Sequence, residues 1–216
     1  TLQKVAWESC LVEPVADRAL QSYARRRLGF PNPTIPYFAA VPWMARAVID
    51  LHPEYGLLMH LDESVADLVV LVVSQENSCR FCYAAVRALL WAQGMPPARI
   101  ERIEQDLARS DLPPQTMAAV AFGRSQSRSG PAAAREARAA IRLAGIGIDE
   151  MREIAFAAGI TDFNNRALTI PAIPAHLIER IPDQPLMRLL RPLLGRIVKQ
   201  HRYRGTPTAL DAVPSY

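Results

Sequence analysis

The sequence predicts an all-α protein. Three kinds of signal carry that reading. Capping residues stand ahead of apolar periodicity, glycine-then-proline pairs mark helix stops, and several segments place apolar side chains at three- and four-residue steps. Half of the 216 residues are hydrophobic and 21% are charged, which suits a globular chain with one sizeable core and excludes a disordered or collagen-like one. A formal net charge of +4 is too weak to argue for a nucleic-acid partner. The three cysteines cannot all pair within the chain, which argues against a secreted disulfide framework. The densest apolar stretch, Val65 to Val73, is interrupted by Asp67 and falls short of the roughly 20 residues of a membrane span. Thr1 to Glu8 has no leader-like apolar run, so the expected location is the cytoplasm and no membrane partner is expected.

Residues 1–36 read as a mixed helix followed by a turn at Pro31, Pro33 and Pro36. A helix is predicted from Tyr37 to Leu51, with Pro42 near its start and His52-Pro53 at its end. Asp62 is placed to cap a helix from Glu63 to about Glu76. Within it, Leu68-Val69-Val70-Leu71-Val72-Val73 has strand propensity, and a continuous apolar run cannot be assigned by periodicity. The next helix is capped by Asn77 or Ser78 and ended by Gly94 with Pro96-Pro97. Its stripe of Cys79, Cys82, Val86, Leu89, Leu90 and Gln93 puts both cysteines on one inward face of a first turn.

Pro97 to Ala108 and Pro113 to about Ser127 read as helices, and Gly123 to Pro131 as a loop. Ala132 to Leu143 is rich in alanine and arginine, and Asp149 caps a helix to about Leu168. A C-terminal arm over residues 184–204 is amphipathic, with Leu186, Leu189, Leu190, Leu193, Leu194, Ile197 and Val198 opposite Arg188, Arg191, Lys199 and Arg202. Pro192 is expected to kink or split it. The preferred partner for its apolar face is a second subunit. All of this is read as a single domain, 1–216.

The chemistry sits in Cys79-Arg80-Phe81-Cys82. A Cys-x-x-Cys at a helix N-terminus has amides and a helix dipole to stabilise a thiolate, and the i,i+3 spacing is within disulfide reach. One sulfur can attack and the other resolve. Structural zinc would need about four ligands, and no second pair exists here. The plainest alternative is two buried core cysteines, since a free cysteine packs as a small hydrophobe. Of the other residues, His60 falls outside its helix, and Tyr83, Trp43 and Trp91 are expected in core, interface or pocket packing. Glu76 is expected to be a solvated helix end, Arg166 to pair with a carboxylate or a helix C-terminus, and Cys10 to be an unpaired packing residue.

The segment Leu61 to Cys82, LDESVADLVVLVVSQENSCRFC, resembles the core of the alkyl hydroperoxidase D and carboxymuconolactone decarboxylase superfamily, and within it the peroxidase-related group. Ile35 to Trp43 and Ala144 to Arg166 are similar to flanking helices of that family, so the resemblance spans about residues 35–170. It implies an alkyl hydroperoxidase D-like helical fold, which makes the valine-rich run a helix, and a homo-oligomer. The family's motif is Glu, eleven residues, Cys-x-x-Cys, three residues and His. Carried over, Cys82 attacks, Cys79 resolves, Asp67 holds the Glu position and Val86 the His position. Asp67 is one methylene short of Glu, and Val86 carries no proton. The implied function is a thiol–disulfide oxidoreductase or alkyl hydroperoxidase-like antioxidant protein. It needs no bound cofactor and no metal. It would take a hydroperoxide or a disulfide as substrate and a thiol as electron donor. A redox-inactive scaffold or binding protein is the alternative reading, with a decarboxylase-type lyase third.

Overall fold

The computed structural model describes Leu2 and residues 9–28, 32–51, 58–128 and 131–203. Among these it contains helices and turns, and no strand. The elements in order are α1 (Arg18–Leu28), α2 (Ile35–Phe38), α3 (Pro42–Leu51), α4 (Glu63–Glu76), α5 (Arg80–Ala92) and α6 (Pro97–Gln105). They are followed by α7 (Pro114–Arg128), α8 (Pro131–Leu143), α9 (Ile148–Thr169), α10 (His176–Glu179) and α11 (Pro185–Tyr203). Short 3₁₀ turns at Leu107–Arg109 and Ile181–Asp183 join α6 to α7 and α10 to α11.

The central helix is α4, which packs against α5, α7 and α9. Its start is set as the sequence predicts: the Asp62 carboxylate accepts the Ser64 amide at 2.7 Å. Leu68, Val69, Leu71, Val72 and Val73 are all buried, because neighbours surround the helix on several sides. Such a helix shows no polar stripe, and tertiary packing overrides the strand propensity of valine.

Gly123 corrects the predicted loop. It lies inside α7, which runs on to Arg128, and only residues 129–130 separate α7 from α8. A Cβ at Gly123 would stand 2.7 Å from Val69 Cγ1, so this glycine lets α7 approach α4 closely. Gly123→Ala is expected to destabilise the protein by about 1–3 kcal/mol through overpacking. A parent-like midpoint in urea unfolding would show that the two helices can part at no cost.

Four boundaries differ from expectation. The predicted helix from Tyr37 is broken between Phe38 and Pro42, since proline lacks an amide donor and disfavours helical backbone in the residue before it. Gly147, not Asp149, is the N-cap of α9, and Asp149 and Glu150 occupy its first turn. The helix from Pro97 ends at Gln105, where Asp106 turns its side chain to the Ala108 and Arg109 amides of the 3₁₀ turn. Pro192 does not split α11, which is assigned as one helix from Pro185 to Tyr203. The predicted stop at His52-Pro53, Pro31 of the first turn and the arm's last residue, Arg204, lie outside the described residues.

The arm docks on its own chain. Gly195 of α11 sits so close to α5 that a Cβ there would lie 2.6 Å from the Ala92 carbonyl oxygen. Arg191 donates to the Trp91 carbonyl at 2.7 Å and to the Met95 carbonyl at 3.3 Å, and its guanidinium lies over the Trp91 ring. A cation is thus set at the C-terminal end of α5, where the helix dipole favours it. Leu186, Leu189, Leu193 and Ile197 remain exposed on α11. No helix of the described residues is long and apolar enough to cross a membrane.

Candidate active site

The α4–α5 turn positions the cysteines. Asn77 ends α4, Ser78 takes a left-handed backbone with φ 54°, and Cys79 is itself the N-cap of α5. The cap is therefore neither Asn77 nor Ser78. Cys79 Sγ accepts the Cys82 amide at 3.4 Å, the role a serine oxygen plays at an ordinary N-cap. The Cys79 amide donates to the Ser74 carbonyl at 3.0 Å. Both cysteines are free thiols. Cys79 is 1% exposed, whereas Cys82 is half-buried.

The two thiols differ in how readily they ionise. The Cys79 thiol is held below its ordinary value, first by the hydrogen bond from the Cys82 thiol. Burial opposes this, and the Thr169 hydroxyl and the backbone amides of Cys82 and Phe81 add to it. Cys82 is pushed well above its ordinary value by that same hydrogen bond to Cys79, by burial and by the neighbouring charge. Of the two, Cys79 is the more readily ionised thiol; the resemblance casts Cys82 as the attacking sulfur.

The walls are apolar. Cys79 and Cys82 pack in a cluster with Ile35 and Phe38 of α2, Phe81, and Leu168 and Ile173 at the end of α9. Val86 belongs to a different cluster, the main core around α4, with Leu90 and Tyr83. The predicted stripe is thus inward along its length but serves two cores.

Asp67 lies at the other end of the hairpin. It is 1% exposed, and its carboxylate accepts from Gln93 Nε2 at 3.0 Å. Gln93 follows Cys82 by eleven residues, about 16 Å along a helix axis. The structure thus brings Cys79 and Cys82 together and leaves Asp67 beside the C-terminus of α5. At the intended histidine position, Val86 is 4% exposed and packed in the main core.

Of the remaining expectations, Trp43 is 73% exposed and not packed in the core. Glu76 is not a solvated end, because Arg124 of α7 reaches it at 3.3 Å. Arg166 pairs with Asp162 one turn earlier, as expected. His60 is exposed outside α4, and Cys10 donates to the Pro171 and Val12 carbonyls at 3.2 Å each. Among the described residues no group of three or more His, Cys, Asp or Glu is placed to hold a metal ion.

The chain matches no protein-family model and no curated protein. Among solved structures it is similar to the alkylhydroperoxidase AhpD core of an uncharacterized peroxidase-related protein from Ralstonia eutropha. The two are 21% identical with a TM-score of 0.64, over 82% of this chain and 99% of that one. The chain has the alkyl hydroperoxidase D fold. A second structure of this fold, an uncharacterized peroxidase-related protein from Silicibacter sp., is 17% identical with a TM-score of 0.60, over 79% of this chain and 94% of that one. A third is the debrominase Bmp8 in complex with 2,3,4-tribromopyrrole, 16% identical with a TM-score of 0.64, over 81% of this chain and 96% of that one. The fold thus occurs both in peroxidase-related proteins and in a debrominase.

Proposed function

We propose that this protein is a thiol-dependent reductase of hydroperoxides or disulfides, with Cys79 and Cys82 as its redox pair. The observation that supports it is the capped dithiol, with Cys79 buried and more readily ionised and Cys82 only partly buried beside it. Without a histidine, the base nearest to Cys82 is Cys79. As Cys82 approaches a hydroperoxide, its proton passes to Cys79 along the shared hydrogen bond. The Cys82 sulfur takes the distal oxygen to become a sulfenic acid, the O–O bond breaks, and the alkoxide leaves as alcohol with the proton from Cys79. The Cys79 thiolate then attacks Cys82 Sγ and expels hydroxide, which solvent protonates. Two electrons have passed from the dithiol to the peroxide, and a thiol donor must return them.

Mild peroxide is expected to convert the pair to a Cys79–Cys82 disulfide and leave Cys10 free. Peptide mapping of the oxidised, alkylated protein reads this directly. Recovery of both thiols, unreactive and unpaired, would sink the proposal and favour a redox-inactive binding protein.

A further inference from the structure

We propose that Glu179 is a positioning residue that acts through Arg80, holding its guanidinium and offsetting its charge, and so restrains how fast thiols reduce the Cys79–Cys82 disulfide. The inference rests on the redox role proposed for the pair and adds a carboxylate that the cysteine motif does not contain.

Three observations carry it. Arg80 stands between the two cysteines in the chain and is the first residue of α5, directly after the N-cap Cys79. A helix N-terminus is already the positive end of the helix dipole. A cation there adds to the field that stabilises a thiolate and is itself unfavourable without a partner. Glu179, the last residue of α10, takes that cation in a two-point grip. Arg80 Nε donates to one carboxylate oxygen at 2.6 Å and Nη2 to the other at 2.9 Å. The pair is shielded from solvent, with side chains 15% and 13% exposed, and the cysteines beside it pack among apolar residues. Its charges are therefore screened far less than a surface pair's would be. The next arginine along α5, Arg87, is two turns on and is held by Glu104. At the cysteine end of α5 the arginine's charge thus meets a carboxylate, and the sulfurs feel the difference of the two.

The step it acts on is reduction of the disulfide by a dithiol. A donor thiolate attacks Cys82 Sγ and forms a mixed disulfide, the Cys79–Cys82 bond breaks, and its electron pair leaves on Cys79. The donor's second thiol gives its proton to solvent and attacks the donor sulfur of the mixed disulfide, which releases Cys82. Both cysteines regain protons from solvent, and two electrons have passed from the donor to the pair. A better-stabilised leaving thiolate departs faster. An uncompensated guanidinium beside the sulfurs therefore speeds the step, and an uncompensated carboxylate slows it.

The test uses the full chain, oxidised, then reduced with dithiothreitol, quenched with acid at intervals and alkylated to count thiols. Glu179→Gln keeps the shape and removes the negative charge, and its reduction is expected to run about fivefold faster than the parent's. Arg80→Gln removes the positive charge and should run about fivefold slower. The double variant loses both charges together and should lie within about twofold of the parent. Loss of a purely structural anchor would shift the rate in the same direction whichever end was removed. Each single variant is scored on its own after its unfolding midpoint shows it folded. The expected sign in either one supports the role of Glu179. Parent-like single variants, shifts in one common direction, or a double variant displaced as far as a single one overturn that role and leave the redox pair standing. A parent chain that forms no Cys79–Cys82 disulfide overturns both.

Discussion

Arg87→Met is expected to lower the stability of the protein by about 3–5 kcal/mol at neutral pH, because it strands a buried carboxylate. Arg87 of α5 pairs with Glu104 of α6, and the two side chains are 11% and 1% exposed. Arg87 also donates to the Tyr83 hydroxyl at 2.9 Å. Burial is the largest influence on Glu104 and raises its carboxyl above the ordinary 4.5, with Arg87 pulling the other way. Tyr83 is likewise raised, first by burial and then by the Glu104 charge.

The sign of the pH dependence follows. Remove Arg87 and burial is opposed only by the Tyr83 hydroxyl, so Glu104 rises further and the folded chain holds its proton over a wider range than the unfolded chain does. Stability then falls as pH rises from the unfolded value of 4.5 through the raised folded value, and is regained on acidification. The difference between Arg87→Met and parent, read by urea unfolding, should be largest at pH 7 and shrink toward pH 4.5, where the neutral acid needs no counter-charge. A second change, Glu104→Leu, should recover most of the loss by replacing the pair with apolar contact. An equal deficit at both pH values would mean that the arginine acts through packing of its stem and not through its charge.

This triad shows where sequence reading reaches its limit. The run Arg99-Ile100-Glu101-Arg102-Ile103-Glu104 looks like an apolar stripe with a solvated face, yet Glu104 is buried with Ile100 and Ile103. What makes that tolerable is an arginine from another helix, and no local signal reports it. The features that were legible are those written within one turn of chain. Asp62 capping Ser64 is one. Gly94 is another: its φ of 111° and the Met95 amide bonded to the Leu90 carbonyl close α5 in a Schellman motif. Gly123 misled because a glycine among Ser and Arg reads as a loop, while here it answers to Val69 across a helix pair. The cysteine pair was legible as chemistry and the fold as a resemblance. The unequal ionisation of Cys79 and Cys82 was not, since it depends on the bond between the two thiols and on how deeply the fold buries them. Nor was the bond from Gln93 to the buried Asp67 carboxylate, which joins two helices.

The remaining large effect is a gain. Val86 lies four residues after Cys82, one turn along α5, at the position where the resemblance places a histidine. Val86→His puts a neutral imidazole within reach of the Cys82 thiol, directly or through a water, and relieves Cys79 of the role of base. General-base assistance is typically worth about 10²–10⁴-fold, and the single variant is expected at or below the low end of that range. Two features of the structure hold it there. Val86 is 4% exposed in the main core, so the ring is desolvated and costs about 1–3 kcal/mol if it finds no partner. Asp67, which would orient the ring, is bonded to Gln93, seven residues or about 10 Å further along α5. Asp67→Glu restores the carboxylate that the resemblance has at this position, so the double variant should exceed the single one. The measurement is the rate of Cys82 loss with cumene hydroperoxide, read by alkylation after quenching, on protein first shown to be folded by its unfolding midpoint. A folded double variant that reacts no faster than the parent would show that proton removal from Cys82 does not limit this site. The Cys79 thiolate would then already be a sufficient base.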